Sequence, residues 1–260
     1  MKRFFFFKKR QYFISPFTIS DDKNRFHMEY KLSIIVPVFN EINTIKTIIN
    51  KLANLKLYNN FKKEVIIIDD CSTDGSQNII KKYSKKYNFI KAIYKKNNKG
   101  KGHSQKIAKK IVSGNYVIIQ DADLEYRPSD INKLLKIAIE QKKDFVIGYR
   151  NLKTSLTHPY FFFREIAVNI LTGLMNVLYG TNIKDSACCY RLFSTKLWKS
   201  INGNADKFEY DFSIICQAIK KTRNIGQCSV YYKSRSYKDG KKCTWDVGFH
   251  AFKRIILDRF

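Results

Sequence analysis

Residues 32–41 read LSIIVPVFNE, and the reading of this stretch decides the fold. Its first part, LSIIVPV over 32–38, is a short β-branched run suited to a strand buried on both faces. A helical pattern follows over about residues 43–55, with Ile45, Ile48, Ile49 and Leu52 on one stripe. The same alternation continues outward. Residues 65–68 predict a second buried strand ending in Asp69-Asp70, and Ser72, Thr73 and Asp74 offer N-caps for a helix to about Lys86. Residues 89–94 predict a third strand, and the loop NNKGKG leads to a helix near 103–113. A fourth strand over 116–120 ends in Asp121-Ala122-Asp123, Pro128 opens another helix, and 144–148 predict a fifth strand. Strands alternating with helices at this spacing imply an α/β fold, a mostly parallel sheet with helices on both faces. Ligands of such sheets bind beyond the carboxyl ends of the strands. The polar clusters Phe39-Asn40-Glu41, Asp69-Asp70, Gly100-Lys101-Gly102 and Asp121-Ala122-Asp123 all fall there.

The chain has 260 residues, enough for one substantial core, and 44% of them are hydrophobic. Residues 1–30 read as a basic-aromatic tail (MKRFFFFKKRQYF at its start) that touches a membrane, and 31–260 as the folded domain. Lys and Arg total 49 against 22 Asp and Glu, a formal net charge of +27. That excess predicts attraction to polyanions: nucleic acid, nucleotide phosphates or an anionic bilayer. No nucleic-acid module is recognisable, so nucleic acid is not expected as a partner. The six cysteines form no CxxC pair, and reduced thiols in a cytoplasmic protein are the expectation. No apolar run is long enough to span a bilayer. The most apolar segment, IAVNILTGLMNVLY at 166–179, suits either a core helix or one lying in the membrane interface.

Two phosphate-binding designs fail on inspection. No glycine follows the first strand, so the dinucleotide fingerprint is absent, and Lys101 is followed by Gly102 rather than the Ser or Thr of a P-loop. What remains is a buried strand ending in Asp121 and Asp123, with Glu125 two residues on. Carboxylates are hard oxygen ligands for Mg²⁺ or Mn²⁺, ions that bridge to substrate phosphates.

Together QDADLEYRPSD (120–130), IIVPVFNE (34–41) and IIIDDCSTDGS (66–76) resemble the GT-A glycosyltransferases of family 2. The run RSYKDGKKCTWDVGFHAF (235–252) narrows the resemblance to the dolichol-phosphate or polyprenyl-phosphate mannosyl- and glucosyltransferases. NNKGKG, DFVIGYRN and KDSACCYRLFS fall between in the expected order, so the resemblance covers about residues 31–257. It implies a GT-A fold, an inverting transfer and a Mg²⁺ or Mn²⁺ cofactor. The donor would be a nucleotide sugar such as GDP-mannose or UDP-glucose. The acceptor would be a polyprenyl phosphate lipid, met by a peripheral protein on the cytoplasmic face of a membrane.

The resemblance also assigns roles. Pro37, Phe39 and Glu41 line the base and ribose pocket, although Phe39 equally suits core packing. Asp69 and Asp70 contact base and ribose, with the choice between them open and a helix-capping turn as the alternative. Asp121, Asp123 and Glu125 are the candidate metal site, the resemblance giving the ion to Asp123 and Glu125 and placing Asp121 near the donor. Gly100, Lys101 and Gly102 form a flexible cationic loop on the donor diphosphate. Arg150, Arg164, Arg235 and Lys241 hold the acceptor phosphate, since a guanidinium matches phosphate oxygens bidentately. Asp121, Asp123, Lys101 and Arg235 make the catalytic set. Glu209 and Asp211 orient arginines on the acceptor side, or are helix-N-terminal acids favoured by the dipole. Lys242 and Trp245 suit a headgroup-level surface. The chain departs from the family at Cys71, where glycine is common, and at His103 and Ser104. A surface-polysaccharide acceptor is the nearest rival reading, and a non-enzymatic nucleic-acid binder a remote one.

Overall fold

The computed structural model describes residues 30–151, 159–235, 240, 242 and 246–260. The tail over 1–29, Lys241 and Trp245 lie outside the described residues. One seven-stranded sheet organises the fold, built from β1 (Lys31–Val38), β2 (Lys62–Asp69), β3 (Ile90–Tyr94), β4 (Tyr116–Ile119), β5 (Phe145–Asn151), β6 (Arg191–Ser194) and β7 (Ile225–Tyr231). Their order is β3-β2-β1-β4-β6-β5-β7. Strands β1 to β4 pair in parallel, as do β5 and β7, while β6 runs antiparallel to both β4 and β5. The chain winds outward from β1 to β3, then returns to place β4 on the other side of β1. This reversal opens a crevice between the carboxyl ends of β1 and β4.

The helices are α1 (Ile45–Asn54), α2 (Ser76–Lys86), α3 (Lys101–Lys109), α4 (Ile131–Glu140), α5 (Pro159–Tyr179), α6 (Thr195–Ser200), α7 (Tyr210–Lys221) and α8 (Asp246–Leu257). Side chains alternate across the strands and so build two cores. Ile34 and Val36 of β1 pack with α1, α2 and α4, whereas Ile35 packs with α3, α5, α7 and α8.

The elements differ from expectation in places that matter. Of the cap candidates Ser72, Thr73 and Asp74, Asp74 bonds the start of α2, its Oδ1 accepting from Ser76 N at 2.9 Å, while the N-cap position itself is Gly75 at φ +93. The second Asp74 oxygen accepts from Ile42 N at 2.8 Å, and Ser72 Oγ from Asn40 N at 2.9 Å. These bonds stitch the loop after β2 to the loop after β1, fixing two strand ends against each other. The expected helix near 103–113 starts earlier, at Lys101. A 3₁₀ turn at Pro128–Asp130 precedes α4.

Glu64 ties three parts of the sheet together from its buried position in β2. Its carboxylate accepts from Ser33 Oγ at 2.6 Å, Ser113 N at 2.7 Å, Ser113 Oγ at 2.8 Å and Lys91 Nζ at 3.0 Å. Burial alone would raise its pKa, but these donors lower it from 4.5 to about 2. A depressed carboxylate contributes stability above its unfolded-state pKa and loses it as pH falls through the folded value. Glu64→Gln should therefore cost about 1–3 kcal/mol at neutral pH. In urea titrations across pH, the gap between variant and wild type should close progressively below about pH 4.5; a gap independent of pH would refute the assignment.

Candidate active site

A cavity of about 510 Å³ occupies the β1–β4 crevice. Of the residues singled out in the sequence, Pro37, Phe39, Glu41, Asp70, Gly100, Lys101, Asp121, Asp123, Glu125, Arg164 and Arg235 all line it. Asp69, Gly102 and Arg150 do not.

The turns that carry these groups are conformationally unusual. Asn40, Cys71 and Leu124, at the loops after β1, β2 and β4, have φ of 49, 66 and 64. This left-handed region is uncommon for non-glycine residues and clusters at functional sites. Cys71 thus adopts the conformation that glycine takes freely.

Asp69 and Asp70 divide their work. Asp69 is buried and caps its own turn, with Oδ2 accepting from Ser72 N at 3.0 Å and Gln77 Nε2 at 2.8 Å. Asp70 faces the cavity, accepts from Lys99 N at 3.0 Å and Gly100 N at 2.7 Å, and meets Lys95 Nζ. It thereby anchors the start of α3 to β2.

The expectation of a flexible cationic loop at 100–102 is corrected. Gly100, at φ +95, lies so close to the segment before α7 that a Cβ would fall 2.7 Å from Asp206 O. A Cβ on Gly102 would fall 2.4 Å from Tyr210 Cβ. Lys101 opens α3 and is held in place: its Nζ lies 2.7 Å from Asp121 Oδ1 and 2.9 Å from Asp211 Oδ2. Burial opposes its charge, yet the Asp121 and Asp211 carboxylates hold its pKa well above the ordinary lysine value. Asp211, in the first turn of α7, also meets Arg191 Nη1 at 3.2 Å and accepts from Gln105 Nε2 at 2.9 Å. It orients Lys101 and Arg191, and no pair with Arg150, Arg164 or Arg235 is seen among its contacts. Arg191 and Cys189 line this corner of the cavity and were missed in the sequence. An arginine inside the apolar run YRLFS was the available signal.

Arg235 spans the crevice. Its guanidinium donates to Glu41 Oε2 at 3.0 Å and Oε1 at 3.1 Å, and Nη2 lies 3.5 Å from Asp123 Oδ2. Glu125 holds the Arg235 backbone, its Oε1 accepting from Arg235 N at 2.8 Å. Lys242 Nζ donates to Glu41 Oε1 at 2.7 Å and to Phe39 O. Burial would raise the Glu41 pKa, but hydrogen bonds from Arg235 and Lys242 leave it lowered. Asp123 goes the other way. Burial, with the Asp121 and Glu125 charges nearby, raises its pKa to about 7 despite Arg235.

A three-carboxylate metal set is not formed. Among the described residues no group of three His, Cys, Asp or Glu side chains is placed to hold a metal ion. The reason is that Asp121 is drawn to Lys101 and Glu125 to the Arg235 backbone. The crowded negative charge around Asp123 nevertheless suits a hard divalent cation, which needs only one or two protein carboxylates beside substrate phosphates.

Arg150 is the second correction. It is buried and bidentate on Asp185, with Nε 2.7 Å from Oδ2 and Nη2 3.0 Å from Oδ1, and Glu165 lies 3.7 Å away. Its fork is consumed inside the fold, so no face remains for a phosphate. Arg164 on α5 does reach the cavity, donating to Tyr232 Oη at 3.1 Å and Ser234 Oγ at 3.3 Å.

This open α/β sheet with a carboxylate-lined cavity at its switch point has the GT-A architecture. The chain belongs to Glycosyl transferase family 2, whose sequence profile matches residues 33–201. It is similar to the UDP-N-acetylglucosamine–dolichyl-phosphate N-acetylglucosaminyltransferase of Methanococcus voltae, 26% identical over 243 residues covering 86% of this chain and 94% of that one. It is also similar to a dolichyl-phosphate beta-glucosyltransferase of Trichomonas vaginalis, 23% identical over 240 residues covering 86% and 73%. The fold matches glucosyl-3-phosphoglycerate synthase from Mycobacterium tuberculosis, solved with Mn²⁺ and UDP-glucose, at a TM-score of 0.68 and 15% identity, covering 88% of this chain and 79% of that one.

Three substitutions check the geometry without an assay. Arg150→Leu strands Asp185 in the interior and should cost about 3–5 kcal/mol in denaturant titrations; Arg164→Ala should cost less than about 1 kcal/mol. Gly102→Ala should cost about 1–3 kcal/mol by forcing α3 from Tyr210, and a neutral result would contradict the close approach.

Proposed function

We propose that the protein transfers a hexose from a nucleoside-diphosphate sugar to a polyprenyl or dolichyl phosphate, with inversion, at the cytoplasmic face of a membrane. The observation that carries this reading is that one cavity joins two chemistries. Its β1–β4 side presents Phe39, Glu41, Asp70, Asp121 and Asp123, suited to a nucleoside diphosphate. Its α5 side presents Arg164 beside Ala167, Val168 and Leu171, suited to an anionic head on an apolar tail. The names of the two similar dolichyl-phosphate transferases support the acceptor class. Mannose and glucose are the sugars proposed, carried by GDP or UDP.

In this reading Asp123, with Asp121 and Glu125 beside it, would hold Mg²⁺ or Mn²⁺. The ion would supply neutralisation of charge on the departing diphosphate. Pro37 and Phe39 pack against the base, while Glu41 and Asp70 face the ribose. Lys101, pinned between Asp121 and Asp211, keeps a fixed positive charge at the donor diphosphate. Arg235 and Arg164, with Lys241 on the same ending, hold the acceptor phosphate. One phosphate oxygen forms the new bond to the anomeric carbon as the bond to the diphosphate oxygen breaks on the opposite face. The acceptor oxygen is already anionic, so no strong base is needed, and orientation supplies much of the rate. Arg235 is bound to Glu41 and Asp123 before either substrate arrives, and exchanging those carboxylates for the acceptor couples acceptor binding to donor-site occupancy.

The test is radiolabelled sugar transfer to polyprenyl phosphate in detergent, screening GDP-mannose and UDP-glucose with Mn²⁺ or Mg²⁺. Lipid-linked product that requires the metal and falls by about 100-fold or more in Asp123→Ala is the expected result. Donor hydrolysis with no lipid product would overturn the acceptor assignment.

A further inference from the structure

A second concavity, of about 490 Å³, opens between the end of α3, the end of α6 and the start of α7, and it shares no lining residue with the active-site cavity. Lys106, Lys109 and Lys110 on the α3 side and Lys199 of α6 line it, and no acidic residue does. The spacing i, i+3 and i+4 puts the first three on one helix face, where like charges repel. Helix stability alone gives no reason to gather them. Lys109 is not a solvated surface lysine either. It is half-buried, and its Nζ turns inward to donate to Ile201 O and to Asn202 Oδ1, the latter at 2.7 Å. Both acceptors are neutral, so they fix the ammonium without cancelling its charge. Burial, with the Lys221 charge nearby, lowers its pKa. Of the other three, Lys106 meets Asp206 at 2.8 Å, whereas among the described residues Lys110 and Lys199 have no ion pair.

The walls are closely fitted. Tyr210 lines the recess with Lys106 Nζ 5.5 Å from its ring centroid, and a Cβ on Gly203 would fall 2.4 Å from Tyr210 Cε2. Such a recess gathers uncompensated positive charge around an ammonium that is already held in place. We propose that it is a second, non-catalytic anion site that takes a small polyanion of the diphosphate class, bridging the end of α3 to the α6–α7 junction. Lysine ammoniums are compact point charges with rotatable donors, which suits tetrahedral phosphate groups presented at several angles. A small anion reaches the recessed Lys109, whereas the flat surface of a bilayer would meet mainly the exposed Lys110 and Lys199. The recess also backs the active-site corner, since Tyr210 precedes Asp211, whose carboxylate holds Lys101 at the head of α3. An anion bound here joins the two helices that carry that pair.

None of the four lysines takes part in the sugar-transfer reading, so the two can fail separately. The probe is inorganic pyrophosphate, titrated into the full chain at about 150 mM salt, where long-range attraction to the net positive charge is screened. Backbone amide NMR shifts report where it binds. Saturable shifts are expected at Asn202, Gly203 and residues 106–110, whatever happens near Asp121. Lys109→Gln should weaken that binding by about tenfold or more, while Lys82→Gln, which removes an exposed charge on α2, should change it by less than about twofold. If Lys109→Gln does not fold, the double variant Lys110→Gln/Lys199→Gln takes its place, because both side chains are exposed. Shifts confined to the Asp121–Asp123 cavity, a folded variant of the recess that binds like wild type, or an equal loss in Lys82→Gln would overturn the site. So would amide shifts in the recess that anionic vesicles produce and pyrophosphate does not.

Discussion

The structure depends on compensating carboxylates gathered at one edge of the sheet. Glu41, Asp70, Asp121, Asp123 and Asp211 all face one cavity. Charges taken out of water must be paired or they are neutralised. Lys101 joins Asp121 to Asp211, Arg191 backs Asp211, and Arg235 joins Glu41 to Asp123. These pairs connect β1, β4, α3 and α7 with the segment after β7, so the charge pattern and the assembly of the cavity are one problem. Asp123 is the member left least compensated, which the raised pKa reflects.

That residual negative charge links architecture to chemistry. A site already holding lysine and arginine against its carboxylates is preorganised for a polyanion with its own cation. A nucleoside diphosphate with a divalent ion adds charge of both signs and leaves the balance nearly unchanged. The α5 wall adds the apolar side chains of Ala167, Val168 and Leu171 to the same cavity. The two dolichyl-phosphate relatives are named for acceptors that combine phosphate with a long apolar chain.

Much of this was legible in the sequence because parallel strands buried on both faces are continuous β-branched runs. The stretches at 32–38 and 65–68 lie in β1 and β2, and their acidic ends reach the site. The later strands were not read. β6 has four residues and includes the buried Arg191, while β7 mixes Gly226, Gln227 and Ser229 into a half-buried edge strand, so neither shows a clean period. Helices α7 and α8 went unassigned beyond their local motifs. Arg150 shows the limit of residue type: a guanidinium suits Asp185 as well as a phosphate, and only three-dimensional placement separates the two. The division between Asp69 and Asp70 was also settled by direction, one carboxylate turned into its own loop and its neighbour into the cavity.

The central claim is that the Asp121–Asp123 end of β4 receives a cation together with a nucleoside diphosphate. Crystals soaked with Mn²⁺ and GDP or UDP, measured at the manganese absorption edge, test it most directly. The expected result is an anomalous peak bonded to Asp123 and to diphosphate oxygens, the base against Phe39, and Arg235 withdrawn from Asp123. Nucleotide bound elsewhere, or manganese bound away from Asp121 and Asp123, would contradict it.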